Sequence, residues 1–150
     1  MIKLFQTILL AAAVCAAHAG GEDWMTDFEA AKKQAEKENK VILADFTGSD
    51  WCPPCMALNK KVLTTQAFKK FAAEKFVLVE IDFPRAKKQS PELKKANQEL
   101  QEKYKIEGFP TIMILDSKGN KIEEFVGYGG EDAEKFIAKL QKVLDKRASS

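Results

Sequence analysis

The chain has 150 residues, enough for one domain with its own core and too few for a second beside it. Its 24 Lys and Arg nearly balance its 22 Asp and Glu, leaving a net charge of +2. The lysine pairs Lys60-Lys61, Lys69-Lys70 and Lys94-Lys95 fall in helical patterns that also carry Glu or Gln, so they describe solvated helix faces and argue against a nucleic-acid partner.

In chain order, Lys3, the apolar run Ile8 to Ala17 and the small-residue site Ala17-His18-Ala19 read as a secretory signal peptide over residues 1–19. Residues 20–150 then form the exported domain, expected in the periplasm or another extracytoplasmic space. Neither the leader nor any later segment reaches the ~20 apolar residues of a spanning helix, so no transmembrane segment is expected in the mature chain. Cys15 offers a minor alternative, lipidation, which the bulk of Val14 disfavours.

Thr26-x-x-Glu29 has the form of a capping box, and Phe28, Ala31 and Ala35 continue it as a helical stripe to about Asn39. Val41 to Thr47 is apolar almost throughout, interrupted by Asp45, the pattern of a strand covered on both faces. Helix follows over Cys52 to Leu63 and Gln66 to Lys75, interrupted around Leu63-Thr64-Thr65, and Phe76 to Phe83 reads as a second covered strand. Pro84 to Ser90 is a polar loop, and Pro91 suits the first turn of a helix running to about Tyr104. Thr111 to Asp116 and Lys121 to Val126 are strands joined through Ser117-Lys118-Gly119-Asn120, an antiparallel hairpin. A last helix over Glu131 to Asp145 buries Phe136, Ile137, Leu140 and Leu144, with fraying at residues 148–150. Strands linked by helices and closed by a hairpin make a layered α/β domain.

Trp51-Cys52-Pro53-Pro54-Cys55 stands where a strand pattern gives way to a helix, and its cysteines are the only two outside the leader. A thiol on the first turn of a helix meets unsatisfied N–H groups and the positive end of the dipole, both of which favour the attacking thiolate. A second thiol three residues on can reach back and displace a bound partner. Other uses of the pair fit less well. So short a loop gains little as a structural staple, zinc needs more ligands, haem attachment needs a histidine where Met56 stands, and a cysteine protease needs a histidine base. The lone histidine, His18, is in the leader, so no metal or cofactor is expected.

The chain resembles the thioredoxin family through Asp45-Phe46, Trp51-Cys52-Pro53-Pro54-Cys55, Gly108-Phe109-Pro110-Thr111 and Gly127, and within it the exported bacterial thiol:disulfide exchange proteins. The resemblance implies a thioredoxin-like fold, a central mixed sheet with parallel strands and a C-terminal antiparallel hairpin, flanked by helices. It implies that Cys52 is the exposed nucleophile, Cys55 the more buried resolving thiol and Pro110 a cis-proline. It further implies that Trp51, Phe109, Pro110 and Thr111 bound the place where an extended substrate segment is held by strand-like hydrogen bonding. Asp45 corresponds to the family's buried acid, a proton acceptor for the resolving thiol, against the alternative of a solvated acid at a strand end. Two departures accompany it: Thr47-Gly48-Ser49-Asp50 makes the loop before the first cysteine one residue longer, and Leu78 replaces the lysine often paired with the acid.

Pro53 and Pro54 lack N–H groups and so remove two donors from around the Cys52 sulfur. A less stabilised thiolate makes a less oxidising disulfide, which predicts a reductant rather than a strong oxidant. A reductant exported to an oxidising compartment requires an electron-donating membrane partner. Its substrate class would be a protein with a disulfide or free cysteine, and the chain is expected to act as a monomer. The rival from another class is a non-catalytic binding module or holdase that grips unfolded chains with Trp51 and Phe109. A metal carrier using Cys52, Cys55 and Met56 is a weaker third.

Overall fold

The computed structural model describes residues 23–150, so the leader, its cleavage site and Cys15 lie outside the described residues. The elements are β1 (Trp24–Met25), α1 (Phe28–Glu38), β2 (Val41–Thr47), α2 (Pro53–Leu58) continuing as a π-helical turn (Asn59–Leu63), and α3 (Gln66–Lys75). They continue with β3 (Phe76–Asp82), α4 (Pro91–Lys103), β4 (Thr111–Leu115), β5 (Lys121–Val126) and α5 (Ala133–Ala148). The sheet runs β1-β3-β2-β4-β5, with β2 parallel to β3 and antiparallel to β4, and β4 antiparallel to β5. This is the expected mixed sheet with its hairpin.

β2 and β4 are buried along their whole length, as continuous apolar runs require when helices cover both faces. Alternation divides the core. Ile42, Ala44, Phe46, Val77, Val79 and Ile81 face α1 and the end of α4, meeting Phe28, Ala31, Ala35, Leu100 and Tyr104. Val41, Leu43, Leu78, Ile112 and Ile114 face the other way, against Leu58 and Val62, Phe68 and Ala72 of α3, and Phe136 and Leu140 of α5. Each fully buried Leu, Ile or Phe contributes about 1.5–3 kcal/mol relative to exposure.

Three local readings change. The cap of α1 is Asp27, whose carboxylate accepts from the Ala30 N–H, rather than Thr26. Thr26 instead follows a two-residue edge strand that the sequence pattern does not reveal, because β1 is defined only by its pairing with Leu78 and Val79. The final helix starts at Ala133, capped by Asp132, and holds through Ala148 instead of ending near Asp145. The expected break between helices lies at Thr64-Thr65, where the Thr64 N–H donates to the Asn59 carbonyl five residues back and closes the π turn.

Candidate active site

β2 ends at Thr47, and the chain turns through Gly48, Ser49 and Asp50 before entering α2. Cys52 is the residue before the helix, in extended conformation, with Pro53 and Pro54 filling the first two helical positions. The first N–H of the helix is therefore that of Cys55, as the missing proline donors require. The two sulfurs are bonded, with Cα atoms 5.3 Å apart.

Cys52 was expected to be the exposed member of the pair, yet in this disulfide form it is 4% exposed against 3% for Cys55. Burial therefore does not distinguish the two members in the bonded form. The motif's open surface is carried instead by Pro53, Pro54 and Met56.

Asp45 is buried, and its Oδ1 has no hydrogen-bond partner among the described residues. Alternation puts it on the sheet face of Val41 and Leu43, the face covered by α2 and the π turn, toward the strand end that leads into the motif. The reading as a solvated acid is thereby excluded. Loss of water pushes its carboxyl up from 3.8 to about 8, with further contributions from the charges of Glu80 and Asp82. Glu80 lies directly across from Asp45 in the β2/β3 register and is itself raised by burial and by Asp82. Leu78, on the same face two residues earlier, brings no compensating cation.

The Phe109–Pro110 peptide is cis. Pro110 is buried, and its carbonyl accepts from the Gly127 N–H at 2.8 Å. Gly127 takes φ +80°, which side-chain-bearing residues rarely adopt, so glycine at this position fits the anchoring of the turn. The Thr111 hydroxyl donates to the Gly108 carbonyl at 2.8 Å, and the residue is only 1% exposed. Its side chain braces the turn instead of facing solvent.

Phe109 extends from this turn to Trp51, edge to face with ring centroids 6.0 Å apart, and also packs on Phe83. The Trp51 indole N–H donates to the Phe83 carbonyl at 2.7 Å, and its ring lies so close over Gly48 that a Cβ there would sit 2.5 Å from it. Trp51, which adjoins Cys52, is thus in contact with Phe109 of the cis-proline turn. The longer loop before Cys52 has a use that sequence reasoning missed. Ser49 donates from its N–H and its hydroxyl to the Asp82 carboxylate, and the Asp50 carboxylate accepts from the consecutive N–H groups of Arg85, Ala86 and Lys87. Those donors hold the Asp50 carboxyl below its ordinary value.

A cysteine pair leading a helix, a cis-proline turn in contact with the preceding tryptophan, and a mixed sheet with a buried acid define a thioredoxin-like protein. The chain belongs to the thioredoxin-like domain family, whose pattern matches residues 28–144. It is 32% identical to disulfide bond reductase DsbH of Chlamydia pneumoniae over 117 residues, 78% of this chain and 70% of that protein. A solved structure of a DsbH oxidoreductase superposes with a TM-score of 0.73 at 30% identity, covering 96% of this chain and 94% of the other. The thioredoxin-related protein DsbJ of C. pneumoniae is 31% identical over 108 residues, which is 72% of this chain but 31% of DsbJ. The reduced C-terminal domain of Neisseria meningitidis DsbD matches with a TM-score of 0.57 at 28% identity, over 76% of this chain and 91% of that domain.

Proposed function

We propose that this thiol:disulfide oxidoreductase works chiefly as a reductant of protein disulfides outside the cytoplasm, with Cys52 as nucleophile and Cys55 as resolving thiol. The observation that carries the reading is the bonded cysteine pair at a helix start that lacks its first two N–H donors, on the sheet face that buries an unpartnered Asp45. Similarity to a protein named a disulfide bond reductase supports the direction, and the secretory leader supports the location.

In the reduced protein, the Cys52 thiolate attacks one sulfur of a substrate disulfide; a mixed disulfide forms and the first substrate sulfur leaves as a thiolate that takes a proton from water. The ionised form of Asp45, a minority near neutrality for an acid raised to about 8, accepts the proton of the Cys55 thiol, and the raised value makes that carboxylate a base matched to a thiol. The Cys55 thiolate then attacks Cys52, closing the observed disulfide and releasing the second substrate thiolate. Two electrons have passed to the substrate, and Asp45 returns its proton to solvent. A dithiol on a membrane electron donor restores the pair by the same exchange in reverse.

Reduction of insulin by the dithiol form, with loss of turnover in Cys52→Ser, tests the reading. Cys55→Ser should hold its partner as a stalled mixed disulfide, and recovery of that adduct from the native compartment identifies the substrate. A reduction potential near −120 mV, that of a strong oxidant, would reverse the proposed direction.

A further inference from the structure

Arg85 lies flat against Trp51, its guanidinium carbon 3.8 Å from the ring centroid. Such a stack fixes a planar cation without consuming its N–H donors. The position is fixed a second time through the backbone, because Asp50 gathers the N–H groups of Arg85, Ala86 and Lys87 into one concave cradle at 2.8–2.9 Å. Beneath the ring, the absence of a side chain at Gly48 permits the close approach, and the Phe83 carbonyl holds the indole N–H.

Two carboxylates of this rim are already engaged. Asp50 is occupied by the three backbone amides, and Asp82 by the Ser49 N–H and hydroxyl. Lys87, the nearest other cation in sequence, donates to the Ser49 hydroxyl. Arg85 itself is exposed and has neither an ion-pair partner nor a side-chain hydrogen bond among the described residues. It is thus an oriented guanidinium with no ion pair among the described residues, on the face of the residue adjoining Cys52, whose ring also meets Phe109.

We infer that Arg85 is a specificity-determining residue that receives an Asp or Glu side chain flanking the reacting cysteine of the substrate, so that the protein favours disulfides set in acidic segments. The inference rests on the proposed reductase activity and adds the chemistry of the substrate. A guanidinium fork matches a carboxylate in two parallel N–H···O bonds, and one already held in place loses little freedom when it binds. A lysine in the same substrate position meets repulsion instead of attraction.

The test uses prereduced protein and two disulfide-linked peptides that differ only in carrying Asp or Lys beside the attacked cysteine. The Asp peptide should react roughly tenfold faster at low ionic strength, the swing expected between one favourable exposed pair and one like-charge contact, and the ratio should shrink with salt. Arg85→Ala should bring the ratio near one and Arg85→Glu should invert it, whereas Lys118→Ala, the same charge change in the distant hairpin turn, should leave it intact. Equal rates on both peptides in the unaltered protein would overturn the inference, as would an undiminished ratio in Arg85→Ala or an equal slowing of both peptides by that variant. Failure to reduce either peptide would sink the reductase reading itself.

Discussion

Replacing Asp45 by Asn should stabilise the protein by an amount that grows with pH. Desolvation, with the charges of Glu80 and Asp82 added, raises the carboxyl from its ordinary 3.8 to about 8 in the folded chain. Below pH 3.8 the acid is neutral in both folded and unfolded protein and carries no ionisation penalty. Above that value the unfolded chain releases the proton while the folded chain keeps it, so stability falls as pH rises and the loss levels off only beyond about 8. At 1.36 kcal/mol per unit, the penalty is under about 1 kcal/mol at pH 4, about 4 kcal/mol at pH 7 and just under ~6 kcal/mol at its limit. Asn imitates the neutral acid in size and polarity, so the cost of burying a polar group nearly cancels and the pH-dependent difference isolates ionisation. Urea unfolding of the disulfide forms of both proteins at pH 4, 7 and 8.5 measures it. Parallel stability curves across that range would refute an Asp45 carboxyl raised toward neutrality, and with it the matching of this acid to the Cys55 thiol for proton transfer.

Glu80→Gln removes the charge opposite Asp45 in the sheet and should lower the Asp45 pKa. The plateau of the stability curve and the pH of half-maximal release of a trapped mixed disulfide should both move down, and an unmoved profile would place the Glu80 charge outside the proton path. Gly48→Ala drives a methyl to 2.5 Å from a rigid indole, so Trp51 must leave its bond to the Phe83 carbonyl. A loss of about 1–3 kcal/mol in urea unfolding, with a change in tryptophan fluorescence, is expected.

The parts of the site carried by local pattern were legible in the sequence, and those carried by register were not. The continuous apolar runs of β2 and β3 and the motif at a strand-to-helix junction identify the layers and the thiols without knowledge of any long-range contact. Asp45 was visible as an acid in an apolar run, but whether it was solvated depended on which elements cover that face. Glu80 and Asp82 had no role assigned within the second covered strand; that Glu80 stands across from Asp45 is a fact of pairing between segments some thirty-five residues apart. The Asp27 cap was missed because the Thr26-x-x-Glu29 spacing has the form of a capping box, whereas Asp is the stronger cap and the edge strand that ends at Met25 leaves Asp27 at the helix start. Thr111 carries the family pattern, yet its hydroxyl serves the turn, a distinction that depends on the buried carbonyl of Gly108.

The longer loop before Cys52 links these missed features to one another. It supplies Ser49 to Asp82 and Asp50 to the amides after Pro84, so the segments following β2 and β3 are tied into one rim. On the sheet side of the motif lies the buried Asp45 with its raised carboxyl; on the solvent side lies the guanidinium of Arg85. In the proposed cycle the two ends serve different steps: the ionised Asp45 is needed only once Cys55 must lose its proton, and Arg85 acts earlier, when the substrate docks. Because Pro53 and Pro54 withhold local donors from Cys52, thiolate stabilisation contributes less here than in a strong oxidant, and selection of the substrate by charge can be tuned at Arg85 without resetting the chemistry of the pair.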